Sequence, residues 1–284
     1  MSNLNLSSIF LPAIKPGLFA ICILLSGCFE NQKVIEPFVP SGSRVVLIEE
    51  FTGKGCTNCP KGSRELENLL TQFPDNLVAV SLHAGFFANP QFFPLGEYDL
   101  RTDEGEFLIG YLSQPVGYPS GVVNRTPVGG DMQLSLNQWA SAITSEIQIP
   151  PAIDINIVKA YDANSRQLVV TVNGIGKEEL EGEIRLSIMV TESGIVDFQD
   201  DAERPGDNID SFYVHKHVLR DMLTPATGAP IRTNIGVGDA ISETYTITLD
   251  PEWKEEEMEI IAFVSLVNGS NFPIIQAAHS HVTE

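Results

Sequence analysis

The apolar residues of this chain change their period near Ile149-Pro150-Pro151. Before that point, strand-like and helix-like runs alternate. Val45-Val46-Leu47-Ile48-Glu49-Glu50-Phe51 reads as a strand, and Leu66, Leu69, Leu70 and Phe73 follow at helical spacing. Residues 77–82 read as a second strand. Residues 100–112 read as a second helix, with Phe107, Leu108 and Tyr111 apolar. A short strand over Ser120-Gly121-Val122-Val123-Asn124, a turn through Gly129-Gly130 and a helix over about 135–147 complete this half. The alternation predicts a mixed sheet covered by helices. After the two prolines the period is two. Ile153-Asp154-Ile155-Asn156-Ile157, Leu168-Val169-Val170-Thr171-Val172 and Ile184-Arg185-Leu186-Ser187-Ile188 alternate cleanly. Thr244-Tyr245-Thr246-Ile247-Thr248-Leu249 and the runs 260–267 and 274–278 continue the series. Short strands at this spacing predict an antiparallel sandwich. The expected domains are 44–149 and 150–284, with no internal repeat.

The richest chemistry lies at the junction of the first strand and the first helix, in Cys56-Thr57-Asn58-Cys59-Pro60. The free N–H groups and the positive dipole end of a helix favour a thiolate at that position. Two cysteines at i and i+3 on such a turn can close and reopen a disulfide, the thioredoxin-type redox arrangement. An inert structural disulfide and a zinc site are the competing readings. Zinc needs a second ligand pair, and the chain has no second CxxC.

The two remaining cysteines belong to targeting. Residues 1–27 carry one charge, Lys15, followed by the apolar run Leu18-Phe19-Ala20-Ile21-Cys22-Ile23-Leu24-Leu25. That run is too short to cross a bilayer and has the length of a signal-peptide core. It closes on Leu25-Ser26-Gly27-Cys28, which resembles the lipobox of bacterial lipoproteins. Residues 1–27 are therefore expected to be a signal peptide, Cys28 the lipidated first residue, and 28–43 a flexible tether. The net charge of −20 argues against nucleic acid and against an electrostatic hold on anionic lipid. Acyl chains would supply the membrane attachment.

Several segments together resemble one family. They are the lipobox, Val46-Leu47-Ile48-Glu49-Glu50-Phe51-Thr52-Gly53 before the dithiol, Gly117-Tyr118-Pro119-Ser120-Gly121-Val122-Val123-Asn124-Arg125, and His215-Lys216-His217-Val218-Leu219-Arg220. The combination is similar to the Omp-twenty-eight family of Bacteroidetes outer-membrane lipoproteins. The resemblance implies an α/β thioredoxin-like domain followed by an all-β immunoglobulin-like sandwich, lipid-anchored at the outer membrane on either its periplasmic or its outer side. The activity is read from the CxxC arrangement rather than from the resemblance: thiol–disulfide exchange on a cysteine-containing protein substrate, with no organic cofactor needed. Cys56 would attack and Cys59 resolve. Glu50 stands where thioredoxin keeps a buried acid that helps move protons; a solvated strand-end carboxylate is the alternative. Tyr118 and Pro119 would shape the substrate groove, Pro119 as a cis-proline ahead of a strand. Some members of this family are described as receptors or adhesins, so a non-enzymatic binder of a surface ligand, with a permanent disulfide, stands beside the enzyme. The chain departs from ordinary thioredoxins at Gly55, where an aromatic is usual, and in the long stretch from His83 to Tyr118. Loss of the aromatic predicts a more exposed dithiol.

Three weaker signals remain. Phe86, Phe87, Phe92 and Phe93 cluster in the long stretch, as a docking patch or as a satellite core. His215 with His217 and His279 with His281 are i, i+2 pairs that would bring four imidazoles together if neighbouring strands carried them; His83 could join the cysteines in a copper site. The acidic run 197–210 lacks EF-hand spacing and reads as a solvated loop, with weak calcium binding as the alternative. The lipobox gives a direct test. Metabolic labelling with a palmitate analogue should mark the wild type and leave Cys28→Ser unmarked; equal labelling of both would remove the anchor from Cys28.

Overall fold

A computed structural model describes residues 44–283, so Cys28 and the tether expected over 28–43 lie outside the described residues. The first half runs β1 (Val46–Thr52), α1 (Cys59–Gln72), β2 (Leu77–His83), α2 (Asp103–Tyr111), β3 (Ser120–Val123), β4 (Leu134–Ser135) and α3 (Trp139–Ile147). The second half contains β5 (Ile153–Asp162), β6 (Gln167–Gly176), β7 (Leu180–Glu192), β8 (Ile195–Asp200) and β9 (Ile209–His215). It continues with β10 (Val218–Met222), β11 (Ala229–Ile235), β12 (Ala240–Thr248), β13 (Met258–Val267) and β14 (Ile274–His281).

Local chemistry sets the helix starts. Pro60 sits in the first turn of α1, where a missing N–H costs nothing. The Thr102 side chain accepts a hydrogen bond from the Gly105 N–H, and Asp103, Glu104 and Glu106 favour the positive end of α2. That cap starts the helix three residues later than its apolar pattern predicts. Ser135 and Gln138 form a capping box around a 3-10 turn, Leu136–Gln138, and α3 follows from Trp139.

β1 lies inside the largest sheet, parallel to β2 and antiparallel to β3. Every residue of β1 is buried, so its two faces serve two cores. Val46 and Ile48 join Leu66 and Leu69 of α1 and Trp139 and Ile143 of α3. Leu47 and Phe51 join Leu108 of α2, Met189 of β7 and Phe263 of β13. A third core lies between the sheet β12-β6-β5 and one face of β7 and β13.

The expected fold class, a thioredoxin-like α/β domain followed by an immunoglobulin-like sandwich, is corrected by this sheet. The chain is mostly β, with three α-helices among the described residues. One nine-stranded mixed sheet, ordered β14-β13-β7-β10-β2-β1-β3-β4 with β11 on β7, runs through both halves. The halves join where β10 pairs in parallel with β2, Val218 opposite Ser81. The physical reason is visible in β13. Ile260-Ile261-Ala262-Phe263-Val264 is apolar at every position and buried on both faces. Its even residues pack on the three-stranded sheet, while Ile261 and Phe263 pack against β1, β2 and α2. A strand covered on both sides belongs to a central layer, not to one face of a separate sandwich.

Glu49 and Arg125 fasten that layer. Arg125 Nε and Nη2 donate to the two Glu49 carboxylate oxygens at 2.9 and 2.7 Å. Both side chains are buried, and the guanidinium carbon lies 4.9 Å from the centroid of the Phe263 ring. The neighbouring Asn124, itself left-handed at φ 46°, accepts from the Leu47 N–H through Oδ1 and from the Ile274 N–H through its carbonyl. β1, β3, β13 and β14 thus meet at two adjacent residues. Removing one partner leaves a buried unpaired charge. Arg125→Met should cost about 3–5 kcal/mol in urea denaturation, and Glu49→Leu/Arg125→Met much less. A single variant as mild as the double would show that the pair is not what fastens the layer.

Candidate functional site

Cys56 and Cys59 form a disulfide, with Cα atoms 5.3 Å apart. Cys59 opens α1 and its N–H donates to the Cys56 carbonyl at 3.1 Å. The disulfide is not exposed: Cys56 is 3% and Cys59 1% accessible. The expectation that Gly55 uncovers it is therefore reversed. A Cβ on Gly55 would lie 2.1 Å from the Phe93 ring, so a ring from the long stretch fills the space beside Gly55.

Glu50 and Pro119 lie under α1. Cys59 and Gly62 share one face of the helix, being three residues apart. A Cβ on Gly62 would lie 2.6 Å from Pro119 Cγ and 2.9 Å from Glu50 Oε1, so glycine is what lets the helix approach them. The Tyr118–Pro119 peptide is cis. Tyr118 donates its hydroxyl to the Ala84 carbonyl at 2.8 Å and meets the Phe87 ring at 5.3 Å, so this end of the expected groove is tied to the body of the protein. Burial raises its hydroxyl above the usual phenol range. A groove of about 450 Å³ runs beside Tyr118, Pro119, Gln133 and Gln138.

Glu50 is wholly buried. Its Oε2 accepts from the Ser81 hydroxyl at 3.0 Å, and its Oε1 has no partner. Burial pushes its pKa up to about 8, against a smaller opposing effect of the Ser81 bond. At neutral pH this carboxyl is held as the acid. Its sequence neighbour Glu49, on the other face of β1, has the Arg125 guanidinium instead.

The second half supplies the cover. Asp200 N–H donates to the Lys54 carbonyl and Ala202 N–H to the Thr57 carbonyl, both at 2.8 Å. Gln199 Nε2 donates to the Gly53 and Cys56 carbonyls at 3.2 and 3.0 Å. Lys54 and Asp197 form a buried ion pair at 2.8 Å. Burial disfavours the Asp197 charge, but Lys54 and the N–H groups of Tyr98, Phe198 and Glu97 outweigh it and hold the carboxyl below its ordinary range. The start of the acidic run is therefore strand β8 docked on the CxxC loop, not a solvated loop. No sequence signal marks these partners, because Gln199 lies 143 residues from Cys56.

The two pairs do not meet as four imidazoles, although His217 and His279 line one groove with Glu67 and Glu259. His215 ends β9, while His217 lies beyond the strand at φ 54° and meets the Glu67 carboxylate at 3.0 Å. His279 meets Glu259 at 2.5 Å. His215 lies against His83 instead, with ring centroids 5.3 Å apart. Burial keeps both neutral, pulling His215 down to about 4 and His83 well below its usual value. They line a cavity of about 260 Å³ with Ser63, Ser81, Gln199 and Tyr213. Among the described residues, no three His, Cys, Asp or Glu side chains are arranged to hold a metal. In the phenylalanine cluster, Phe87 and Phe93 pack inward, and Phe86 and Phe92 are more than half exposed.

The lipobox-like run 25–28 precedes a mostly-β body built on one large mixed sheet. The model of the family described as Outer membrane protein Omp28 matches residues 113–283, more than half of the chain. The chain belongs to that family, the Omp-twenty-eight family of the sequence resemblance, and its place is the outer membrane, lipid-anchored. The structure is similar to HBP35 of Porphyromonas gingivalis, at 17% identity and a TM-score of 0.63, over 87% of this chain and 77% of that one. It is also similar to an Agrobacterium tumefaciens protein, at 15% identity and a TM-score of 0.50, over 85% of this chain and 96% of that one. A domain of the outer membrane lipoprotein Omp28 of Porphyromonas gingivalis matches at 18% identity and a TM-score of 0.31, over 46% of this chain and 88% of that one. No curated protein matches. The family match begins after the disulfide and includes the segment that covers it.

The Glu50 acid has a measurable signature. A carboxyl raised in the folded state adds stability that is complete below its unfolded pKa near 4.5 and is lost as pH rises through about 8. The wild type should therefore lose stability between pH 5 and pH 8 relative to Glu50→Gln, which cannot ionise there. Parallel urea midpoints for the two proteins across that range would place Glu50 in an ordinary, solvated state.

Proposed function

We propose that the Cys56–Cys59 pair exchanges disulfides with a cysteine-containing protein at the outer membrane. The observation that carries this reading is the Glu50 carboxyl: buried, neutral, with one unpartnered oxygen, beneath the helix face that bears Cys59. A buried acid without an ionic partner contributes no ion pair to stability. It is suited to giving a proton to a departing thiolate and taking one back.

In the exchange, a partner thiolate attacks Cys56 Sγ and the Cys56–Cys59 bond breaks. Cys59 leaves as a thiolate and is protonated, with Glu50 as the nearby acid. A second partner thiol then attacks the partner sulfur joined to Cys56 and releases Cys56 as a thiolate. Two electrons pass to the protein and the partner leaves with a disulfide; the reverse sequence oxidises the protein. Cys56 is assigned the attacking role in that direction because it precedes the helix N-terminus, which favours its thiolate. Pro119 and Tyr118 would border the partner's path. Cys28 would hold the domain at the membrane.

The second reading is a non-enzymatic surface receptor or adhesin with a permanent disulfide. The burial of both cysteines favours it. Trapping separates the two. Cys59→Ser should accumulate reductant-sensitive mixed disulfides through Cys56, seen on a non-reducing gel and absent from Cys56→Ser/Cys59→Ser. An empty gel for Cys59→Ser, with surface binding unchanged in the double variant, would move the assignment to the receptor.

A further inference from the structure

The carbonyls around the disulfide are already occupied. Gly53, Lys54, Cys56 and Thr57 all accept hydrogen bonds from the segment 199–202: two from its backbone N–H groups and two from the Gln199 amide. The arrangement is that of an added strand end, in which main-chain donors satisfy an exposed edge. The segment is held from both sides. Asp197 is pinned by Lys54 before it, and Arg64 of α1 reaches Asp201 at 3.7 Å and Glu203 at 2.5 Å after it. Phe93 closes the side at Gly55. The outer face of the same β8–β9 pair carries Val196, Phe212 and Val214, all exposed, and the cavity lined by Tyr213 and His215 lies behind it. Of the segment, Gln199 lines that cavity.

We propose that the segment 197–202 sets the specificity of the disulfide: it excludes small thiols and admits a cysteine carried in an extended polypeptide. The inference rests on the exchange reading above. Its reason is the hydrogen-bond balance. Lifting the segment leaves the Lys54 and Thr57 carbonyls to water and takes one of two bonds from those of Gly53 and Cys56, which keep the Cys56 and Cys59 N–H groups; a small thiol has nothing to offer in return. An extended chain brings its own N–H donors to the same carbonyls and restores what the segment gave up. Gln199 is the specificity-determining residue, because one side chain serves the carbonyl of Cys56 and that of Gly53.

The test compares two reductants of the Cys56–Cys59 bond in the full mature chain. One is dithiothreitol; the other is a synthetic ten-residue extended peptide with two cysteines. Each dithiol attacks one sulfur, forms the mixed disulfide, then closes its own disulfide and leaves both protein thiols reduced. The rate is read by quenching and counting alkylated thiols by mass. Gln199→Ala should be reduced by dithiothreitol about tenfold faster than wild type, the effect of losing two modest hydrogen bonds. The peptide rate should change far less, so the ratio of peptide to small-thiol rates falls about tenfold. Arg64→Ala, at a half-exposed position that leaves the core untouched, should shift the ratio the same way by a smaller factor. The variant with unchanged circular dichroism decides if the other misfolds. An unchanged dithiothreitol rate, or an equal rise for both reductants, overturns the inference. Capture of protein partners by Cys59→Ser is read separately. Capture with no rate effect removes the cover alone; a rate effect with no capture removes the exchange reading and leaves the cover.

Discussion

The buried ion pair between Glu49 and Arg125 ties the first half of the chain to β13 of the second. A charge buried this deeply is tolerable only when it is paired and its hydrogen bonds are satisfied. Arg125 meets both conditions through a bidentate contact, and it rests on the face of Phe263. Phe263 belongs to β13, so the pair cannot form fully unless the second half is in place. Asn124 repeats the logic in its backbone, accepting from Ile274 of β14. Arg44 adds two more bonds, to the carbonyls of Ile274 and Ile275, while it also pairs with Glu146 of α3. The first half supplies the charges, and the second half supplies the walls that make their burial possible.

The same strand explains the candidate site. Successive residues on a strand point to opposite faces, so Glu49 and Glu50 have separate fates. Glu49 faces the layer where an arginine waits. Glu50 faces α1, where only Ser81 offers a hydrogen bond, and it keeps its proton. Gly62 then decides how close the helix comes: any side chain there would strike Pro119. Two acidic residues adjacent in sequence thus become a structural anchor and a buried neutral acid, by alternation and by the partners available on each face.

The three α-helices and nine of the strands were legible in the sequence because each has a local signal, whereas β4, β8, β9, β10 and β11 were not read as strands. The alternating runs gave β5, β6 and β7, and the leucine spacing gave α1. Cys56 and Cys59 stood out by their spacing, and Glu50 and Pro119 were marked as candidates by likeness to thioredoxins; the structure places Glu50 and Pro119 together under α1. What escaped was everything carried by distant pairs. The continuous apolar run of β13 is the signature of a strand buried on both faces, but its second partner layer lies across the chain and leaves no local mark. A single sheet through both halves was therefore missed. Gly55 promised an open disulfide only because the ring that fills its space sits 38 positions later at Phe93. The i, i+2 rule held for His279 and His281 on β14 and failed for His215 and His217, because β9 ends at His215.

The energetics of the disulfide separate its two readings. A bond closing a ring with a sequence separation of 3 removes little entropy from the unfolded chain. The loop-closure relation gives about 2 kcal/mol for so short a ring, against nearly 5 for a ring of 100 residues. The loop it closes is also held without it, by four hydrogen bonds from the segment 199–202 and by the Lys54–Asp197 pair. A staple would gain more at almost any longer separation. The position is poor for stabilising the fold; on the exchange reading proposed above it would offer a helix N-terminus to the thiolate and a neutral carboxyl below the helix. The sheet holds the protein together, so opening the Cys56–Cys59 bond would cost the fold only about 2 kcal/mol.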